Sequence, residues 1–348
     1  MTKAAELAKM GEVLTNSQIG GRRNIVINGA MQVAQRATSA TGVGGANGYF
    51  TVDRFGIYQA STDGRFTMSQ AAVTDLAGFS NALKIDVTDA DTNVAAGELL
   101  QLATVFEGQD LQGFKKGYSE AEGYTLSFYV KGTAKTYSVE LYDGDNNRHV
   151  TKTFSVTTSW NRVVLNFPAD TTGKFDDDNA LSLYVLFWLH TGDTYSTGSA
   201  ATTWASVTNA NRAVGVESIF TSADNELFIT GVQLEVGFTA TPFEHRSPAE
   251  EQQLCFRYCR KFTSHTFGRA RDGDSFYAGN VVFQPPMRGT PTLKSGADFS
   301  VSTGSGGSPT INTGQGASGE SLIISNGSAN WTTNAFARLT DAVFEAEL

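Results

Sequence analysis

Three consecutive aspartates, Asp176, Asp177 and Asp178, form an acidic turn. Carboxylates and loop carbonyls are the oxygen ligands that calcium prefers, so this turn is a candidate site for a structural calcium ion. Adjacent side chains diverge in a turn, however, and a charge run is more often a solvated face. Asp143 and Asp145, in DGDNN, make a second turn of the same kind. Trp204 offers different chemistry. It lies in the polar stretch TTWASVTNANR, with Asn209, Asn211 and Arg212 close behind. A flat indole can cover the apolar face of a pyranose while amides and a guanidinium meet its hydroxyls. Trp331, in NGSANWTTN, is a second candidate of this type. An aromatic in such a loop is either a plug on the core or an exposed platform, and the burial tendency of large aromatics favours the plug for Trp204. Trp160 and Trp188 read as core.

Signs of catalysis are weak. No GxSxG, HExxH, P-loop or GxGxxG pattern falls on the elements that such chemistry needs. His149, His190, His245 and His265 stand in four unrelated contexts. A glycosidase requires two carboxylates across a cleft, and no pair stands out as one. Cys255 and Cys259 are four apart on a predicted helix, a geometry that does not favour a disulfide. They read as two reduced, partly buried thiols. His245 and His265 flank them, but at no recognised metal-ligand spacing.

The elements that must position these residues are mostly strands. The segment Asn225 to Arg246 (NELFITGVQLEVGFTATPFEHR) reads as a long strand with one buried face. Gly231 breaks its alternation and predicts a bulge. Its expected partners are Arg23 to Ala34, Tyr124 to Lys131, Tyr137 to Leu141 and Arg162 to Phe167. Asp53 to Tyr58, Gly64 to Ala71, Ala82 to Val87, Glu98 to Glu107 and Thr151 to Val156 also read as strands. Tyr124 to Lys131 and Tyr137 to Tyr142 suggest a hairpin joined through Gly132 to Lys135. Leu181 to His190 (LSLYVLFWLH) is apolar on both faces and reads as a central strand. Phe114 is expected to anchor the loop Asp110 to Ser119.

Two helices are expected. Thr2 to Leu14 carries the narrow stripe Leu7, Met10 and Leu14, too short to stand alone in water. Ser247 to Phe262 opens with a capping box formed by Ser247, Pro248 and Glu250. Strands are then expected at Ser275 to Phe283, Thr290 to Lys294, Leu322 to Ser325 and Asn334 to Leu348, with Ser302 to Ser321 as a Gly- and Ser-rich loop.

Composition agrees with an all-β protein. The 348 residues include 36 Gly and only 7 Pro, and turn residues separate the apolar runs. A formal net charge of −9 argues against sequence-independent nucleic-acid binding. No apolar run approaches ~20 residues, so no membrane insertion is expected. Glu6, Lys9 and Glu12 interrupt the first residues, which do not read as a secretory signal. The chain is expected to stay in the cytoplasm where it is made, or to leave it within a particle.

NIVINGAMQVAQRATSATGVGGANGYFTVDRF (Asn24 to Phe55) resembles the start of a module found in tail-fibre and other virion proteins of tailed phages, marine and cyanobacterial ones especially. Tyr124 to Gly132, Ser159 to Asp170 and Gly231 to Ser247 resemble its later parts in the same order. Leu254 to Phe262 and Val282 to Thr292 resemble the helix and small β-domain that often follow it. The module is similar to the jelly-roll carbohydrate-binding modules of polysaccharide-degrading enzymes, several of which hold a structural calcium. The resemblance implies an N-terminal helix and attachment arm over residues 1–21 and a jelly-roll β-sandwich over 22–246. A linker helix over 247–262 and a smaller C-terminal β-domain over 263–348 follow. It further implies a non-enzymatic appendage protein of the virion that contacts host surface polysaccharide. Such a protein would join other virion proteins through its N-terminus, with Leu7, Met10 and Leu14 serving attachment or a homotrimer seam. A capsid decoration or vertex protein and a glycan depolymerase are the alternatives.

Overall fold

The structure is a computed structural model, and it describes residues 3–4, 23–269, 277–294, 298–301, 310–312, 318–326 and 336–348. The chain divides into two compact units. One comprises residues 1–32, 39–51 and 55–246, the other residues 33–38, 52–54 and 247–348.

The first unit is a β-sandwich. In chain order its strands are β1 (Ser39–Val43), β2 (Gly56–Ala60), β3 (Arg65–Ala72), β4 (Asn81–Asp89), β5 (Leu99–Glu107), β6 (Tyr124–Gly132) and β7 (Lys135–Asp143). β8 (Arg148–Val156), β9 (Asn161–Phe167), β10 (Leu181–Thr191), β11 (Ala205–Ser206) and β12 (Glu226–Val236) complete it. The front sheet runs β1-β3-β4-β12-β6-β9 and the back sheet β11-β8-β7-β10-β5-β2, with antiparallel pairing throughout. Phe128 of the front sheet meets Phe154 and Phe187 of the back sheet with ring centroids 5.1 Å away in each case, at interplanar angles of 85°. These rings mark the centre of a core that strand alternation builds from both inner faces.

Three sequence expectations are met. β12 is the long strand, but it ends at Val236, short of the expected Arg246, and most of it is buried on both faces; its register with β6 shifts between Thr230 and Gln233. Gly231 there has φ 62°, and a Cβ would lie 2.8 Å from Phe79 Cζ, so the bulge admits no side chain. β10 is central between β5 and β7, which explains its two apolar faces. Phe114 is buried and stacks on Tyr124 at 4.0 Å, anchoring its loop as expected.

Other expectations need correction. Arg23 to Ala34 is not a strand. Asn28 and Met31 adopt left-handed backbone, and the segment bonds to β12 at isolated points, among them Ile25 N to Leu234 O, Val232 N to Gly29 O and Leu234 N to Asn24 Oδ1. β12's second neighbour is instead β4. β6 and β7 form no hairpin, because they belong to opposite sheets. The connection is diverted by hydrogen bonds from Gly132 N to Thr157 O and from Thr133 N to Glu226 O. The true hairpin is β7–β8. The strand expected from Asp53 begins only at Gly56, since Asp53 and Arg54 belong to the second unit.

In the second unit the helix ends at Cys255, well before Phe262. Ser247 Oγ accepts from Glu250 N at 3.2 Å, as its capping pattern predicts. Cys259 then opens β13 (Cys259–Arg269), which pairs with a late strand, so sheet pairing overrides the helical reading of this aromatic-rich stretch. Along the chain follow β14 (Tyr277–Val282), β15 (Thr292–Leu293), β16 (Asp298–Val301), β17 (Thr310–Asn312), β18 (Ser321–Asn326) and β19 (Phe336–Glu345). β13, β15 and β16 all pair with β19, while β18 joins β14 to β17. β17 falls inside the stretch expected to be a loop. The rings of Phe262, Phe283 and Phe344 pack together at 5.3–6.1 Å. Arg36 meets Asp53 at 3.3 Å, Glu345 at 2.5 Å and Glu347 at 2.8 Å, which ties the early segments to this unit. Burial pushes the Asp53 carboxyl up to about 6 against the pull of Arg36.

Candidate functional site

On β10, Val185 and Phe187 point into the sandwich, so Tyr184, Leu186 and Trp188 face away from the front sheet. Register carries that face across the back sheet. Tyr184 stands opposite Tyr142 on β7, and Trp188 stands opposite Gln101 on β5, which in turn pairs with Tyr58 on β2. Tyr58, Tyr142 and Tyr184 therefore share the outer face. Their rings touch: Tyr142 lies 5.2 Å from Tyr184 and Tyr58 lies 6.2 Å from it, inclined at 42° and 66°. Tyr49 extends the row, because a Cβ on Gly56 would lie 3.1 Å from its ring. At the other end Gly144 makes room for Tyr184, whose Cε2 is 3.2 Å from where a Cβ would sit. All four tyrosines are half-buried, with one part packed and the rest wet.

A rigid floor lies beside this strip. The buried carboxylate of Glu140 accepts from Trp188 Nε1 at 2.8 Å and from Arg212 Nε at 2.9 Å and Nη2 at 3.0 Å, and it faces His149 Nδ1 at 2.9 Å. The Arg212 guanidinium lies 5.3 Å from the Tyr142 ring and 5.2 Å from that of Trp188. Exposed Asp145 and Asn147 edge the strip, and Tyr142 Oη donates to Asn147 Oδ1 at 3.4 Å. Burial, neighbouring Tyr58 and Tyr142, and Asp145 push the Tyr184 phenol up to about 12. Its hydroxyl is a neutral donor and acceptor at any ordinary pH.

The residues singled out in the sequence fall elsewhere. Trp204 is buried, donates from Nε1 to Pro168 O at 2.8 Å and packs 5.7 Å from Tyr124. It plugs its loop and presents no free face. Asn211 Oδ1 accepts from Ser199 N at 2.9 Å, and Asn209 starts the same short turn, with its carbonyl accepting from Arg212 N. Both hold the loop that delivers Arg212, which is itself engaged by Glu140. Trp331 and the stripe Leu7, Met10 and Leu14 lie outside the described residues.

Asp176, Asp177 and Asp178 are exposed and do not converge. Asp178 Oδ1 caps Ala180 N at 2.8 Å, and Asp176 N donates to Asp145 Oδ2 at 3.0 Å. The oxygen cage in this region has formed around an ammonium. Lys116 Nζ lies 2.6 Å from Asp143 and 3.1 Å from Asp170, and donates to the carbonyls of Thr172 at 3.0 Å and Gly173 at 2.8 Å. Burial raises the Asp170 pKa, but hydrogen bonds from Arg148 and Lys116 outweigh this and hold it below the usual carboxylate value. Cys255 and Cys259 are free and buried, and burial raises both thiols well above their ordinary range.

Sequence reading missed the tyrosine strip because its members come from four separate segments. Only the register of β2, β5, β10 and β7 brings them to one face. Period-two alternation placed Tyr184 on a strand but gave no partner for it.

No family model matches the chain, and no curated protein matches it. Solved structures similar to the chain include carbohydrate-binding modules. One is a CBM4 module, with 12% identity over 53% of this chain and 87% of its own, at TM-score 0.30. A family 11 module of a cellulosomal cellulase from Clostridium thermocellum matches with 11% identity over 57% and 99%, at TM-score 0.29. A module in complex with β-1,4-galactotriose matches with 10% identity over 62% and 99%, at TM-score 0.30. Likeness at this level carries no argument about what the present chain binds. The sandwich stands on its own two sheets.

Proposed function

We propose that this chain binds a glycan across the Tyr49, Tyr58, Tyr184 and Tyr142 strip. The observation that carries the reading is a row of half-buried tyrosine rings, three of them in contact, on the outer face of the back sheet. Pyranose rings would lie along the phenol faces, and the tyrosine hydroxyls with Asn147 and Asp145 would meet sugar hydroxyls. The net charge of −9 disfavours strongly acidic polysaccharides and points to a neutral one. The chain acts by binding and not by catalysis. In the setting that the resemblance of Asn24 to Phe55 implies, it is an appendage of a phage virion, attached through residues 1–21 and trimeric. Three strips on one axis would raise avidity without any new contact.

Affinity electrophoresis of the full chain through gels containing neutral polysaccharides tests this directly. At least one polysaccharide should retard the wild type, and Tyr184→Ala should abolish the retardation while remaining folded by circular dichroism. Equal retardation of wild type and variant would remove the strip from consideration. Absence of retardation by every neutral polysaccharide tried would remove glycan binding.

A further inference from the structure

Away from the strip, three segments of the sandwich bring Asp91, Glu98 and His190 together. Asp91 follows β4, Glu98 precedes β5, and His190 lies near the end of β10. All three are buried. One donor atom from each lies within 4.8 Å of the others. An ion about 2.0–2.4 Å from each donor fits that spacing.

Charge balance separates this cluster from the other acidic clusters described above. Glu140 has Arg212, Asp143 and Asp170 have Lys116, and Asp53 has Arg36. Asp91 and Glu98 have no lysine or arginine partner among the described residues, only His190, whose Nε2 lies 3.2 Å from Glu98 Oε2. Asp91 and Glu98 also hydrogen-bond each other, and their other partners are neutral: Thr62 Oγ1 and the backbone N–H groups of Asp63 and Asn93 on Asp91, and Ala95 N–H on Glu98. Buried carboxylates that lack a cationic side chain are characteristic of metal sites.

The imidazole is held in a matching orientation. Ser218 Oγ lies 2.7 Å from His190 Nδ1 and accepts from Phe220 N at 3.0 Å. With the Nδ1 proton donated to Ser218, the Nε2 lone pair faces the two carboxylates, as in a metal-bound histidine with an outer hydrogen-bond partner. Residues 92–97, which join Asp91 to Glu98, are exposed.

We propose that Asp91, Glu98 and His190 form a site for a divalent first-row transition ion, with zinc the best fit to one nitrogen and two carboxylate oxygens. An all-oxygen preference makes calcium a poorer match. The site is independent of glycan binding.

The test uses the full chain, stripped with chelator and titrated with zinc chloride. One zinc should bind per chain and raise the melting temperature by several degrees, because it binds only the folded state. His190→Gln should weaken zinc binding by about 100-fold or more, and Ser218→Ala by about 10–100-fold. Cobalt chloride should give a visible absorption band in the wild type that is absent in His190→Gln. The assignment is overturned if zinc leaves the melting temperature unchanged at millimolar concentration, or if His190→Gln binds zinc as the wild type does. Should His190→Gln fail to fold, undiminished zinc affinity in Ser218→Ala overturns it.

Discussion

The two outer faces of the sandwich both carry aromatic rings, but they use them differently. On the front sheet, Lys131 Nζ lies 5.0 Å from the rings of both Trp160 and Phe228, and Lys84 Nζ lies 5.2 Å from Phe228. Those lysines are tied in turn to Asp75, Asp86 and Glu226. The ring faces there are covered by ammonium groups that belong to the protein. On the back sheet the tyrosines touch mainly one another, and the nearby cation, Arg212, is clamped from below by Glu140. Aromatic content therefore does not identify a binding face. What distinguishes the two is the kind of partner, lysine ammonium groups on the front face and neighbouring tyrosine rings with the Arg212 guanidinium on the back.

The largest expected effect tests the floor of the back face. Glu140→Ala removes a buried carboxylate and strands Arg212, Trp188 and His149, at a cost of about 3–5 kcal/mol in urea unfolding. Asp75→Ala, at the exposed pair on the front face, should leave the unfolding midpoint where it was. Comparable losses in the two variants would mean that the faces are not built differently. A smaller effect concerns binding: Trp160→Ala should keep the affinity of the wild type for whichever glycan it binds, whereas Tyr142→Ala should lose about tenfold, or ~1.4 kcal/mol. Loss in Trp160→Ala would move the site to the front face. The smallest effect is alkaline. The folded Tyr184 phenol titrates at about 12, above its ordinary value of 10.0, so the unfolded chain releases this proton first. Its contribution is complete below about pH 10 and fades as pH rises through about 12. Tyr184→Phe should flatten part of the stability loss in that window, and an unchanged profile would show that the ring is freely solvated.

Much of the framework was readable in the sequence because it rests on local pattern. β12 with its bulge at Gly231, and β10 with two apolar faces, follow from alternation and one glycine. Tertiary pairing decided the rest. The Gly132–Lys135 link has the length of a hairpin turn, yet β6 and β7 diverge because Thr133 bonds to Glu226, far along the chain. Cys259 leaves the helical pattern because β19 offers it a ladder. The candidate site was the least legible part, since neither the tyrosine row nor the Asp91, Glu98 and His190 group has any signature within a single segment. The acidic turn at Asp176 to Asp178 drew attention by density alone, while the cation held nearby is the ammonium of Lys116.

The position of β12 has a consequence for biosynthesis. This strand fills the middle of the front sheet between β4 and β6, yet it is made after both. At about 5–20 residues per second, a ribosome needs on the order of ten seconds to travel from the end of β4 to the end of β12. Once β6 has emerged, and until β12 follows, the nascent chain displays two unpaired strand edges at the centre of its future sheet. Any second chain emerging nearby carries the same edges, so dense polysomes and strong overexpression favour intermolecular strand pairing over completion of the sandwich.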